Sequence, residues 1–551
     1  MSITRIIGGT LSKTATTGDI DMRATEGDAS FIAAQHNMWH GGEGIKYYDY
    51  EPLHPNDSMS NEKTVRLNLF FDGTQNNKTN TEAGKDHENS NHTDDSYTND
   101  YSNVARGYDA TDPNAENQVC VYIEGIGTED LESETTLFGS MPNNSGTPLG
   151  EGDRGVKAKV TKACLLAGKK LQKYSKKKMT LEVNVYGFSR GATAARHFLY
   201  VATNPAATHT PLFSTSETAL PPYGLRGAMY TKTEETTELV QKHGFFGACL
   251  AAQDFTPTEI IFRFVGLYDT VAAFGADHRG KEFLGINLID NDTKQLGLDA
   301  VNKASFVLQF AAHDEHRDNF DLTNIASAGV KGLEMTLPGV HSDIGGCYVE
   351  NASERVDLFY ERYFNRNCEK FKQILVDEGW YNPDQLSIVH SYTTDFTKQI
   401  RQEYDDNPAG YYGLVGIKKA VHSSYDKVAL NQMFHYSKQF DVIYSADMLN
   451  DHQIQDPFLI RVYNQLLQYS NACTHLRNQY VPRFNAGENI TDEYLAEAKK
   501  LKYQDFIDTE DLKTLRREYL HWSASATKFG LGPRSGGIEK ATERNRNIQY
   551  G

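Results

Sequence analysis

The chain has 551 residues, 39% of them hydrophobic and 23% charged, with a formal net charge of −17. That length exceeds one ordinary core, so one large domain with insertions or two to three domains is expected, and the composition excludes a mostly disordered chain. The acidic balance argues against nucleic acid as a partner and against attraction to an anionic membrane by a global field.

Residues 1 to 60 are polar, rich in Gly, Thr and Asp, and read as an N-terminal extension or docking segment. Met1 to Asp19 lack the long apolar core of a secretory signal, and no run of 18 apolar residues occurs anywhere, so no spanning helix is expected. The first strong strand is Val65 to Phe71, which ends at Asp72-Gly73-Thr74, a turn signature. Residues 78 to 117 hold few large apolar groups and read as a polar surface excursion. A second strand, Cys120 to Glu124, runs into Gly125-Ile126-Gly127, and residues 137 to 154 read as a loop. From Val156 to Tyr174 apolar residues recur at spacings of three and four, the signature of an amphipathic helix.

A strand at Leu181 to Tyr186 then enters Gly187, and a helix starts at Ser189 or Arg190 and covers Ala192 to Tyr200. Ile260 to Tyr268 is a strand ending at Asp269. A helix is expected over Lys303 to Asp314, and a short strand, Leu333 to Leu337, leads to Pro338-Gly339-Val340-His341. Strands alternating with helices predict an α/β fold of the α/β-hydrolase kind, with a mostly parallel central sheet flanked by helices over residues 61 to 352. In such sheets the working residues lie beyond the carboxyl ends of the strands. From 353 to 520 helical periodicity recurs at 355 to 378, 424 to 439, 458 to 470 and 491 to 504, which predicts a mainly helical insertion or second domain. Residues 521 to 551 read as a C-terminal segment returning to the core. The six cysteines, at 120, 164, 249, 347, 368 and 473, form no CxxC pair and point to buried thiols rather than disulfides or a zinc cluster.

Gly187-Phe188-Ser189-Arg190-Gly191 fits GxSxG. The spacing has a physical reason: a nucleophilic serine sits on a sharp strand-to-helix turn, and the flanking glycines let strand and helix approach closely. In a chain with 44 glycines a chance match is expected roughly 0.2 times, so the apolar strand before it and the Ala-rich helix after it carry the assignment. The bland alternative is a tight turn with a capping serine. Asp269, at the end of an apolar strand and later in the chain than Ser189, is the candidate acid, its alternative role being a helix cap. His341, on a glycine-rich loop after a late strand, is the candidate base. His313 and His316 compete with it. Asp343 could compete as acid but lies two residues from His341, and is expected to support that loop instead. Arg190, with Gly73 and Thr74 on the early loop, would supply backbone donors to an oxyanion, and Asp72 would organise that loop. No EF-hand or HExxH pattern appears, so neither metal nor other cofactor is expected.

Phe70 to Asn77, Ser102 to Arg106, Gly187 to Gly191, Tyr268 to Val271 and Pro338 to Gly346 together resemble the uncharacterised-domain α/β-hydrolases that include the first family of phospholipase effectors of the bacterial type VI secretion system. The resemblance covers residues 65 to 350, with a fainter likeness at Arg516 to Ser523 and Ile548 to Gly551. It implies a triad of Ser189, Asp269 and His341 and a phospholipase A-type enzyme that cleaves acyl esters of glycerophospholipids through an acyl-enzyme. It further implies synthesis in the bacterial cytoplasm, delivery into the periplasm of rival cells, docking on a secretion spike protein, and a cognate immunity protein. A lipid substrate calls for a surface that touches the bilayer. Tyr411, Tyr412, Leu414, Val415 and Ile417, followed by Lys418 and Lys419, are candidates, the alternative being a buried inter-helix segment. Rival functions are a soluble carboxylesterase or thioesterase on small acyl substrates and a non-catalytic component of the secretion apparatus.

Overall fold

The alternation from Val65 to Phe71 becomes a strand because both of its faces find apolar cover. Val65, Leu67, Leu69 and Phe71 are buried against one set of helices, while Phe70 enters the opposite cluster and stacks on Tyr186 at 4.5 Å between ring centroids. Burying each such side chain is worth about 1.5–3 kcal/mol. The structure, a computed structural model, describes residues 63–86, 94–132, 153–210, 214–272, 296–317, 320–362, 365–390, 411–524, 537–543 and 546–551. The expected extension over residues 1 to 60 and most of the expected loop at 137 to 154 lie outside them.

Six strands form the central sheet: β1 (Lys63–Phe71), β2 (Gln118–Ile123), β3 (Met179–Phe188), β4 (Glu259–Tyr268), β5 (Phe306–Ala312) and β6 (Gly332–Leu337). Their order is β6-β5-β4-β3-β1-β2. The pairs β1/β2, β3/β4, β4/β5 and β5/β6 are parallel. Helices Val156–Leu171, Arg190–Val201 and Glu234–Ala251 contribute to the apolar cluster on one face. Helices Asp426–Lys438 and Pro457–Asn485 contribute to the cluster on the other. Within the sheet, fully buried Asn68 accepts from Asn184 Nδ2 at 2.9 Å. The register of β3 on β4 pairs Phe188 with Tyr268. The next residue on each strand, Ser189 and Asp269, therefore leaves the sheet beside the other.

Several expectations are corrected. The helix predicted over Lys303 to Asp314 is strand β5, buried at every position from Phe306 to Ala312. A short apolar run in a doubly covered sheet shows no alternation, so periodicity cannot separate it from a buried helix. The helix predicted over 355 to 378 is β7 (Ala352–Arg362) followed by helix Arg366–Asp377. β7 joins β8 (Leu386–His390) and β9 (Tyr411–Val421) in an antiparallel sheet of order β7-β9-β8, so the 353 to 520 region is not simply helical. Nor is it a separate domain: Val356, Leu414, Leu459 and Trp522 share one apolar cluster with Phe70, Phe188 and Tyr268 of the central sheet, and Thr64–Gly551 is one compact unit.

The described residues of the polar excursion at 78 to 117, 78–86 and 94–117, are likewise packed rather than loose. They hold helices Lys78–Asp86 and Asn103–Ala110, and they bury Asn80 bonded to Ser96, Arg106 bonded to Asn103, Ser102 bonded to Asp72, and an ion pair from Arg106 to Asp426 at 2.6 Å. At the far end of the chain, Ile548–Gln549 pairs in parallel with Leu322–Thr323. Among the described residues no helix is long and apolar enough to cross a membrane.

Candidate active site

Ser189 occupies the turn between β3 and helix Arg190–Val201 with φ 58° and ψ −128°, a conformation that L residues rarely adopt and that persists only where the surroundings enforce it. Its N–H donates to Tyr268 O at 3.0 Å, and its carbonyl accepts from Ala192 N–H at 3.0 Å. The two glycines of the motif are required by space. A Cβ at Gly187 would lie 2.5 Å from Ala192 Cα, and one at Gly191 would lie 2.1 Å from Asp72 O. The second contact shows what the motif achieves here: the start of the helix presses directly on the loop that follows β1.

Asp269 leaves β4 with φ 44° and is fully buried. Its carboxylate accepts Ala312 N–H at 2.8 Å and faces His341 Nδ1 across 2.5 Å. Burial opposes its ionisation, but the Arg546 guanidinium and His341 outweigh burial and hold its pKa below the ordinary carboxylate value. An ionised carboxylate can only accept, so Nδ1 carries the proton and the neutral ring keeps its lone pair on Nε2. His341 Nε2 is buried and makes no hydrogen bond among the described residues, Ser189 Oγ included. Burial pulls the imidazole below its ordinary pKa, and Asp269 pulls the other way.

His341 opens a short helix, His341–Gly345, just after β6. Three carboxylates pin that turn: Asp314 accepts Gly339 N–H at 2.9 Å, Asp343 accepts Val340 N–H at 2.9 Å, and Glu315 accepts His341 N–H at 3.1 Å. The Phe188 ring, one residue before the serine, packs on the imidazole with centroids 4.6 Å apart, and Phe320 meets it edge-on at 5.1 Å. His313 and His316 are held elsewhere. His313 bonds Asp314 at 3.0 Å, and His316 stacks on Trp522 at 3.6 Å.

Of the loop after β1, Asp72 is buried and accepts from Gly73 N–H at 2.7 Å, Ser102 Oγ at 2.5 Å and Tyr122 OH at 2.6 Å. Burial pushes its pKa up to about 6 against the pull of those donors. The Gly73 N–H, expected as an oxyanion donor, points here to Asp72 within its own loop. Thr74 follows it, half-buried. Arg190 is the first residue of its helix, where backbone N–H groups have no intrahelical acceptor.

The expected membrane-contact stretch lies in β9, the middle strand of the antiparallel sheet. Leu414 and Val415 are buried. Lys418 is buried too, donating to Arg516 O and Leu520 O at 2.7 Å each beneath the rings of Trp380 and Tyr381. These three cannot meet lipid, because a paired central strand turns its apolar side inward. Tyr411 opens the strand and Tyr412 is half-buried, while Ile417 and Lys419 are exposed.

Sequence reasoning missed three contributors. Glu315, which accepts the His341 amide, is itself gripped by Arg317 at 2.8 Å through both Nε and Nη2. His521 Nδ1 bonds Asp343 at 2.8 Å. Arg546 spans the Asp269 carboxylate, with Nη1 to Oδ1 at 2.5 Å and Nη2 to Oδ2 at 2.9 Å. The fainter C-terminal motifs beginning at Arg516 and Ile548 were the only signal that these segments return to the site.

Residues 65–367, which contain Ser189, Asp269 and His341, match a family model described as type VI secretion system phospholipase effector Tle1-like, catalytic domain. Among solved structures the chain is similar to the Tle1 effector bound to the VgrG spike from the type VI secretion system. The two share 18% identity with a TM-score of 0.50, over 89% of this chain and 94% of that chain. It is also similar to an uncharacterized protein from Pseudomonas aeruginosa, at 15% identity and a TM-score of 0.34, over 76% of this chain and 53% of that chain. At such identities the first likeness is one of fold. No curated protein matches the chain.

Proposed function

Starting from the fact that the chain belongs to the Tle1-like phospholipase effector family of the type VI secretion system, we propose that it is a serine hydrolase of the α/β-hydrolase fold that removes acyl chains from glycerophospholipids. The observation that carries this reading is the buried Asp269 carboxylate on His341 Nδ1, set beside a serine held at a strained strand-to-helix turn. Ser189 Oγ attacks the ester carbonyl while His341 Nε2 takes its proton, and the alkoxide leaves with the proton returned by His341. Water activated by the same imidazole then hydrolyses the acyl-serine. Asp269 keeps the ring in the needed tautomer and supports the imidazolium. The oxyanion is met by the amide of Arg190 and, with the Gly73 N–H pointing to Asp72, by that of Thr74. Apo-state geometry without a Ser–His hydrogen bond is compatible with this, since such bonds often tighten only with substrate in place.

The family and the fold likeness to a spike-bound effector support docking on a spike protein, delivery into the periplasm of a target bacterium, and protection of the producer by an immunity protein. The test is product analysis by mass spectrometry on phospholipids with different chains at the two glycerol positions. The native protein should release free fatty acid, and Ser189→Ala should lose at least about a thousandfold in rate. Equal release by both would remove the serine from the chemistry.

A further inference from the structure

Arg546 is chemically out of the ordinary for its setting. A carboxylate that orients a catalytic imidazole needs one oxygen for the ring and donors enough to fix its plane. Here the guanidinium engages both oxygens, at 2.5 and 2.9 Å, in the two-pronged geometry that fixes a carboxylate's plane as a point charge cannot. The guanidinium is itself anchored. Its Nε donates to Phe320 O at 2.6 Å and its Nη1 to Ala312 O at 3.2 Å, and its side chain is 6% exposed. The backbone around it is tied down by Leu322 N–H to Asn547 O at 3.0 Å and Asn324 N–H to Gln549 O at 3.0 Å. Thr323, in the strand that receives this segment, donates its N–H to Thr270 O at 2.9 Å, one residue from the acid.

We propose that Arg546 is a positioning residue for the Asp269–His341 pair, holding the carboxylate in the plane that receives the imidazole Nδ1–H. The inference rests on the hydrolase reading above. Two consequences separate it from a merely structural ion pair. Losing the fork frees the carboxylate to rotate, which lowers turnover. Losing the positive charge strengthens proton binding by the pair, whichever of the two groups holds the proton, because the proton then joins a site of more negative field. The other charged groups facing the pair are Arg317 with its partner Glu315 and, on β6, Glu334. They are common to native and variant proteins, so the difference reads Arg546 alone.

The experiment is the pH dependence of kcat/KM on a soluble short-chain ester for the full-length native protein, Arg546→Gln and Arg546→Lys, each checked by thermal melting. Ser189→Ala serves as the control for the reading itself. The acid limb of Arg546→Gln should move up by about one pH unit, with activity at pH values below both midpoints falling about tenfold beyond any loss at the plateau. Arg546→Lys keeps the charge but not the fork, so its limb should stay near the native one while its plateau kcat falls. An unmoved limb in a folded Arg546→Gln protein overturns the proposal. Should that variant fail to fold, an Arg546→Lys protein with native kcat overturns it instead. Hydrolysis by Ser189→Ala would bring down the hydrolase reading and is distinguishable from either result.

Discussion

At the scale of single residues, strain and buried charge gather at one place. Ser189 and Asp269 both carry positive φ, 58° and 44°, on adjacent strand ends. Each costs on the order of 1–3 kcal/mol, a load tolerated where surrounding contacts leave no other conformation. Asp72 carries a different load, a buried carboxyl whose pKa is raised to about 6. Its sign follows from linkage: the folded state binds the proton more tightly than the unfolded state. The stability it contributes is therefore full below about pH 4 and lost as the pH rises through 6, a change of about 3 kcal/mol. Asp72→Asn removes the titration. Its melting temperature should gain on the native protein by a few degrees between pH 4.5 and 7.5, and a difference independent of pH would refute the assignment. Ser189, Asp269 and His341 were legible as candidates because each follows a strand end in a motif with local spacing. Arg546 was not, because nothing near it in the chain records which carboxylate it meets.

At the scale of elements, the GxSxG turn works through contact distance. Helix Arg190–Val201 can rest on the loop after β1 only because residue 191 has no side chain, the nearest atoms being Asp72 O and Phe71 O. Gly191→Ala must push that loop away from the serine. A displacement of this kind should cost about a hundredfold in kcat on a soluble ester, measured beside a melting curve that shows the protein folded. A Gly191→Ala enzyme with native kcat would mean the contact is dispensable. β5 was misread because it is buried at every position, so its sequence lacks the alternation that identifies a half-buried strand. β9 is the middle strand of its sheet, with Leu414 and Val415 buried and Ile417 and Lys419 exposed. Lys418 lies in that strand with its ammonium satisfied by two carbonyls, an environment that composition does not reveal.

At the scale of the whole molecule, the chain beyond residue 350 completes the core of the sheet. Trp522 is 2% exposed and packs against His316, Trp380 and Phe371, which come from three separate stretches of sequence. Trp522→Ala should cost about 3–5 kcal/mol. Because the cluster is shared, hydrogen exchange should rise in β5 and β6 as well as in β9. Faster exchange confined to residues 352–524 would mark that region as an independent domain.

The amino-acid sequence by itself determined five of the six strands of the central sheet, β5 excepted, the turn that carries Ser189 and the order of the three candidate catalytic residues, since periodicity and turn chemistry are local. Only the tertiary structure decided that Lys418 is interior and that Arg546 closes on Asp269. Each of these depends on which distant group fills a given volume or satisfies a given donor, and that is settled when the layers pack and not before.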